Sequence, residues 1–212
     1  MSRVVFFIML FSCFQVSAQR RFEIWNKNQL SNKINERVLI KVAQKVQYHT
    51  NNSNLEVAYG EAFVAGRPKN WLEYGLGFRL AKSQPLENVW ITENRTMFYA
   101  DLSKSLKNYK LSFSNRIEYR SFKNLEHHFR YRQSLKLQFP KLVSWGMQFY
   151  TSEESYTRLN GGGTNLLRVY GGVDAYTCKT FKVSAYYGLQ KAKLVEHWIA
   201  SDILGLNLAF SI

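Results

Sequence analysis

Apolar and polar residues alternate along most of this chain, and the alternation is longest between Tyr109 and Phe139. Over 109–120, Leu111, Phe113, Ile117 and Tyr119 fall on one side, and Ser112, Ser114, Arg116, Glu118 and Arg120 on the other. Over 129–139, Phe129, Tyr131, Leu135, Leu137 and Phe139 oppose Arg130, Arg132, Ser134, Lys136 and Gln138. Successive side chains of a strand point to opposite faces. Both stretches therefore predict two-faced strands, longer than the roughly 5–6 residues usual in soluble sheets. The same period recurs at Val38–Tyr48, Leu55–Phe63, Leu72–Leu80, Thr96–Leu102, Val143–Phe149, Leu167–Asp174, Val183–Leu189 and Leu204–Ile212. That makes ten strands from about residue 35 to the last residue.

The segments between them set an expected topology. Pro140-Lys141 and 177–180 are short, whereas 82–94, 151–165 and 191–201 are longer. Bacterial outer-membrane barrels have an even number of strands, short periplasmic turns and longer outer loops. Ten strands fit that rule, with Pro140-Lys141 and 177–180 on the periplasmic side. Phe22–Leu30 would be an eleventh strand and would break the parity, unless a stretch near 89–92 made twelve.

Alternation alone leaves the inward face open. A soluble lipocalin-like barrel buries its apolar face, and an outer-membrane barrel turns that face to lipid. Strand length favours the membrane, since a tilted spanning strand needs about 9–11 residues. So does the recurrence of Tyr, Trp and Phe near strand ends. The final strand, with Leu204, Leu206, Leu208, Phe210 and Ile212 on one face, suits recognition by the outer-membrane barrel assembly machinery. Glu61 and Gln133 interrupt the apolar face. The expected fold is an all-β, antiparallel up-and-down transmembrane β-barrel of ten strands, with twelve as the alternative.

Composition refines this. The chain has 212 residues, enough for one domain, and a net charge of +14, with 16% aromatic residues. Arg3, the apolar run 4–11 and Val16-Ser17-Ala18 read as a cleaved signal peptide over 1–18. Cys13 offers a lipoprotein alternative, with bulky Phe11 against it. Residues 19–34 read as a lead-in or extra strand, and 35–212 as the barrel. After cleavage Cys178 is the single cysteine, so no internal disulfide forms. No later stretch approaches the roughly 20 apolar residues of a spanning helix.

With the apolar face on lipid, Glu73, Arg79, Arg95, Asp101 and Arg116 point into the lumen. So do Glu118, Arg120, Arg130, Arg132 and Lys136. Arginine forks match carboxylates, so these residues can form a structural ladder that fills a small barrel. The functional alternative is a basic eyelet that selects anions.

The stretch Arg116-Ile-Glu118-Tyr-Arg120-Ser-Phe122, followed by His128-Phe-Arg130-Tyr-Arg132, resembles the arginine-rich strand pair of the DUF2490 family. Trp25 and Trp198…Asp202-Ile-Leu204-Gly205-Leu206-Asn207 resemble that family's ends. The resemblance implies a Bacteroidetes-type outer-membrane β-barrel and carries no catalytic residues over.

Enzyme chemistry has thin support. His127 and His128 lack a paired serine, and Ser121 is only loosely placed for triad logic. His197 and Asp202 form one candidate protease pair. Gly161-Gly162-Gly163 lacks the lysine and helix of a phosphate loop. No metal cluster and no cofactor motif is present in the sequence. The basic residues are dispersed along every strand, which argues against nucleic acid. Arg158, Lys191 and Lys193 could meet anionic headgroups. The expected partners are outer-membrane lipid and the assembly machinery, with oligomeric state open. The expected function is a non-enzymatic envelope scaffold or narrow porin-like conduit in the outer membrane. An outer-membrane lipid hydrolase and a soluble periplasmic lipocalin-like binder are the alternatives.

Overall fold

A computed structural model describes residues 21–50, 54–86, 89–123, 125–194 and 197–212. Segment 1–18, expected to be a signal peptide, lies outside them. The described residues form eleven strands: β1 (Arg21–Lys33), β2 (Val38–His49), β3 (Asn54–Lys69), β4 (Leu72–Leu86), β5 (Val89–Leu106), β6 (Tyr109–Phe122), β7 (His128–Gln138), β8 (Gln148–Arg158), β9 (Gly163–Thr177), β10 (Phe181–Leu194) and β11 (His197–Ser211). Consecutive strands pair antiparallel, and β1 closes the barrel by pairing parallel with β11, from Arg21 opposite Ser201 to Ser31 opposite Ser211. Closure leaves no free edge, so the backbone donors and acceptors satisfy one another around the ring.

Eleven strands replace the expected ten or twelve, and the sheet is not wholly antiparallel. The added strand is β1, which contains the 22–30 stretch. Its outward stripe is Phe22, Ile24, Asn26, Asn28 and Leu30. The Asn28 amide donates to Asn26 Oδ1 at 2.9 Å. Two self-paired asparagines in the middle of the stripe conceal its strand period. An odd count makes the first and last strands run the same way, so only a parallel seam can close the barrel. Arg21 and Ser211 consequently stand at opposite mouths.

Three segments expected as loops are largely strand. β4 runs to Leu86 and β5 starts at Val89, with a register shift between Ser83 and Leu86. Pro85 lies within that shift, where it has no ladder N–H to withhold. β8 occupies most of 151–165, and β10 and β11 occupy most of 191–201. Conversely, Val143, Trp145 and Met147 are not in a strand. Segment 139–147 is irregular, held by Leu142 N–H to Met147 O at 2.8 Å and Gly146 N–H to Val143 O at 3.1 Å. Gly146 sits there at φ 84°, where a side chain is strained. Pro140-Lys141 is thus part of a long connection, not a tight turn. It lies at the same mouth as the end of β11, so connection length does not sort the two mouths.

The outer wall is mostly apolar, with a polar stretch on β8 where Glu153 is exposed. Leu30, Ile40, Val42, Leu76, Phe98, Ile117, Phe129, Val169 and Leu204 are among the large side chains it exposes. On β4 the stripe Leu72, Tyr74, Leu76, Phe78, Leu80 spans nine residues and ends at exposed Lys82. On β3 the expected faces are reversed: Phe63 and Glu61 are buried inside while Val64 is exposed. The reversal follows from the partners. Glu61 stands opposite Arg79 and Phe63 opposite Gly77, so the inward face offers a cation to the carboxylate and a gap to the ring.

That gap is one of a set. Inward glycines lie directly opposite inward aromatics at Gly77–Phe63, Gly75–Tyr99 and Gly205–Tyr186. A Cβ at Gly77 would come within 2.2 Å of two Phe63 ring carbons. Phe63 in turn packs edge-on to Tyr99, with ring centroids 5.4 Å apart, in a cluster with Leu39, Ala65 and Met97. Overpacking of a filled core costs about 1–3 kcal/mol. Gly77→Val is expected to lower the thermal midpoint of the folded, detergent-solubilised barrel by that equivalent. Gly60→Val is the control, since a Cβ at Gly60 meets nothing within 4 Å.

Candidate functional site: the barrel interior

Residues of one parity on each strand project into the barrel, and most are charged or aromatic. Glu73, Arg79, Arg95, Asp101 and Arg116 lie on this inner face, as do Glu118, Arg120, Arg130, Arg132 and Lys136. Sequence position scatters them over four strands, β4 to β7, and closure of the barrel brings them to one axis.

They are cross-linked through a few carboxylates. Glu118 is fully buried and accepts from Arg130 at 2.6 and 2.9 Å and from Arg95 at 3.2 Å. Arg95 also donates to Glu93 at 2.7 and 2.9 Å, and Arg120 donates to the same carboxylate at 2.7 and 2.8 Å. Glu61 holds Arg79 and, at 3.1 Å, Lys27. Glu154 takes Arg132 at 2.5 Å and the Tyr156 hydroxyl at 2.9 Å, with Arg168 at 3.7 Å. Nearer the mouth where β11 ends, Glu73 binds Lys41, Arg67 at 2.6 Å and the Tyr99 hydroxyl at 2.9 Å. Asp101 accepts from the Ser114 hydroxyl. Asp174 accepts from Lys182 at 2.6 Å and Ser184 at 2.8 Å. Buried charges survive in pairs and networks of this kind because each partner offsets the other's lost hydration.

Aromatic rings fix the arginines that carboxylates hold at one end only. The guanidiniums of Arg130, Arg132 and Arg168 lie 4.7, 5.3 and 5.1 Å from the Tyr156 ring. Trp25 is buried between Lys45, 3.2 Å from its ring, and Arg168, 4.7 Å from it. Its indole N–H donates to Glu23 at 2.8 Å. Such cation–π contacts orient a guanidinium without consuming its donors.

What remains is a chamber of about 430 Å³. Ten Lys and Arg side chains line it, against the carboxylates of Glu61, Glu93 and Glu154. Guanidinium and ammonium donors, serine hydroxyls and tyrosine rings face one space, which is chemistry suited to holding anions. A second recess of about 300 Å³ opens by the 107–108 turn, between Tyr109, Gln138, Asp174 and Lys182.

The histidines stand apart from this chamber. His127 Nδ1 accepts the Phe122 backbone N–H at 3.1 Å, and the His128 ring stacks on Phe122. His197 and Asp202 are five positions apart on β11, so their side chains leave opposite faces. Asp202 accepts from the Tyr187 hydroxyl at 2.5 Å. Among the described residues no group of three or more His, Cys, Asp or Glu is placed to hold a metal. On β11, Leu204, Leu206 and Phe210 are exposed on the outer wall and Leu208 is half-buried. Ile212 follows the strand, its N–H donating to Ser31 O at 2.9 Å.

Sequence reasoning missed Trp25, Lys27, Lys45, Glu61 and Glu154 as interior residues. Glu154 lay in a segment read as a loop, and Glu61 in a strand read with its faces exchanged. The usable signal was opposite charge on adjacent strands: Glu61 faces Arg79 across the β3–β4 ladder, and Glu154 faces Arg168 across the β8–β9 ladder.

A family model described as a protein of unknown function (DUF2490) matches residues 22–198. The match begins in β1, crosses every intervening strand and ends at the second residue of β11. Neither the curated proteins nor the solved structures yield a match. The matched span takes in both halves of the arginine–glutamate ladder, and the chain belongs to the DUF2490 family.

Proposed function

We propose that this chain is an integral outer-membrane β-barrel, exported through an N-terminal signal peptide, that serves the envelope as a non-enzymatic, rigid scaffold with a narrow basic lumen. One observation carries the reading: large exposed apolar side chains cover most of the outer wall, and most of the charged side chains within the strands turn inside, with Glu153 and Lys104 as outward exceptions. A soluble monomer rarely shows a continuous apolar surface beyond a few hundred Å², whereas this distribution is the one a lipid-facing barrel requires. The test is membrane fractionation. The protein should sediment with outer membrane, resist alkaline extraction, dissolve in detergent and migrate faster on unheated gels than on heated ones. Recovery in soluble periplasm without detergent would overturn the reading in favour of a lipocalin-like binder.

Ion pairs tie neighbouring strands β5, β6 and β7 along the inner wall, and Arg116 of β6 reaches to 5.2 Å from the Phe63 ring of β3; this filled interior favours a scaffold over an open pore. Planar-bilayer recording separates the two: a steady anion-selective conductance lost on Arg130→Ala would establish a conduit. A lipid hydrolase predicts phospholipid turnover abolished at His127 or His128. The contacts of both rings are to backbone and neighbouring side chains, and a hydrolase is the weaker reading.

Orientation is testable at Cys178, exposed in the connection between β9 and β10. Hydrogen bonding by the Thr180 backbone and hydroxyl holds its thiol below the ordinary value, which favours the reactive thiolate. With the end of β11 on the periplasmic side, an impermeant maleimide should spare Cys178 in intact cells and label it after permeabilisation. Lys123→Cys, in a Cys178→Ser background at the opposite mouth, should label in intact cells.

A further inference from the structure

The ladder is not electrically balanced. Ten cations line the chamber, and even with Glu118 behind its wall only four carboxylates answer them. Lys45 is only 8% exposed, yet its ammonium rests on the Trp25 ring, and among the described residues no carboxylate is in hydrogen-bonding reach. Arg116 has a buried Nε without a hydrogen-bond partner, and its nearest carboxylate oxygen, on Glu118, is 4.0 Å away. Like charge outnumbers opposite charge around both: Arg132 and Arg79 stand near Arg116 with Glu118 and Glu61, and Arg168, Lys27 and Arg79 stand near Lys45 with Glu154 as the carboxylate. Buried, unpaired cations in a cluster are costly unless something anionic completes them. The guanidiniums stacked on Tyr156 are already held in place, so a ligand would meet preorganised donors.

We propose that the chamber is a binding site for a compact multivalent oxyanion of the phosphate-ester or diphosphate class, centred on Lys45 and Arg116 with Arg79, Arg132 and Arg168 around it. Planar guanidinium forks match two phosphate oxygens at once. The volume lies at the small end of ligand pockets. A single chloride would leave most of the excess charge unanswered. The site deepens the proposed function but does not depend on it, because its charge would be the same in a soluble barrel.

The test uses the mature chain folded in detergent, titrated with pyrophosphate by calorimetry and by tryptophan fluorescence. Saturable binding at physiological salt is expected. Lys45→Met and Arg116→Gln should each weaken it roughly tenfold or more, the equivalent of one charge-assisted hydrogen bond. Lys104→Gln, on the exposed outer wall, should leave it unchanged. Pyrophosphate should also raise the thermal midpoint of the unaltered protein more than sodium chloride of equal ionic strength does, which decides the matter if a variant fails to fold. Tighter binding of a short-chain phosphatidate than of pyrophosphate would assign the ligand to a lipid headgroup, and the reverse to a soluble ester; both uphold the site. No saturable binding, or binding that both variants leave intact, would overturn it. Neither result bears on membrane fractionation.

Discussion

Glu118→Gln should be the most damaging single change in the interior. Its carboxylate is fully buried, and the two oxygens face Arg130, Arg95 and Arg116. Among the described residues Arg130 has no other carboxylate partner, and Arg95 keeps only Glu93. The amide preserves size and removes the charge, so a buried guanidinium is left uncompensated. Breaking a buried pair in this way costs about 3–5 kcal/mol, a large part of the 5–15 kcal/mol that typically separates folded from unfolded chains. The expected result is a clear drop in the temperature at which the compact gel band converts to the heated form, with a matching fall in urea midpoint. Glu126→Gln is the comparison, because Glu126 meets Arg158 at 2.7 Å in an exposed setting and exposed pairs contribute little. Glu118→Gln combined with Arg130→Met should recover part of the loss, since an apolar replacement for the whole pair removes the stranded charge. Equal midpoints for Glu118→Gln and Glu126→Gln would show that the ladder is not what stiffens the barrel.

The ladder was legible because Arg116, Glu118, Arg120, Arg130 and Arg132 sit in the longest alternating stretch, where period and charge agree. Legibility failed where the two cues conflict. On β3 the sequence has larger apolar residues at Val57, Tyr59 and Phe63 and small ones at Ala58, Gly60 and Ala62, so hydrophobicity alone points the wrong face outward. The interior accepts Tyr59 under Arg79, 3.8 Å away, and Phe63 over Gly77 because those partners lie on the next strand. Cross-strand pairing is a property of register, which a single segment does not encode. β8 failed differently. Its inward residues Tyr150, Ser152, Glu154 and Tyr156 alternate with polar Thr151, Glu153, Ser155 and Thr157, so neither face is apolar over its middle.

The strand count shows a similar limit. β1 is a strand because β2 and β11 flank it with complementary ladders and because Trp25 packs with Tyr170 and Ile203 inside. Its own pattern, with Asn26 and Asn28 outward, supports it weakly. The parity rule for bacterial barrels then argued against it. A parallel seam answers that objection: eleven strands close when the two end strands share a direction. The consequence is physical, since the start of β1 and the end of β11 lie at opposite mouths, and β1 needs β11 to complete its hydrogen bonding.

The outer wall gives the second large expected effect. Leu76 is the centre of the nine-residue stripe on β4, is 63% exposed, and has Val64 and Phe98 opposite it on the neighbouring strands. If the wall faces lipid, Leu76 lies near the bilayer midplane, because a stripe of that length matches the thickness a tilted strand must cross. An arginine there costs about 2–4 kcal/mol, falling to about 0–1 near the interfaces. Leu76→Arg should therefore shift the folding equilibrium in vesicles by roughly thirtyfold or more, since each 1.4 kcal/mol is tenfold, and reduce the heat-modifiable band in membranes. Thr92→Arg, opposite Lys82 beyond the end of the stripe, should leave assembly near its original level. In water the prediction inverts: an arginine on an exposed leucine would leave a soluble barrel folded and less prone to aggregate. The sign of the Leu76→Arg effect thus separates a lipid-facing wall from a solvated one. Assembly of that variant at the unaltered level would sink the membrane reading, even if the interior ladder behaves as expected.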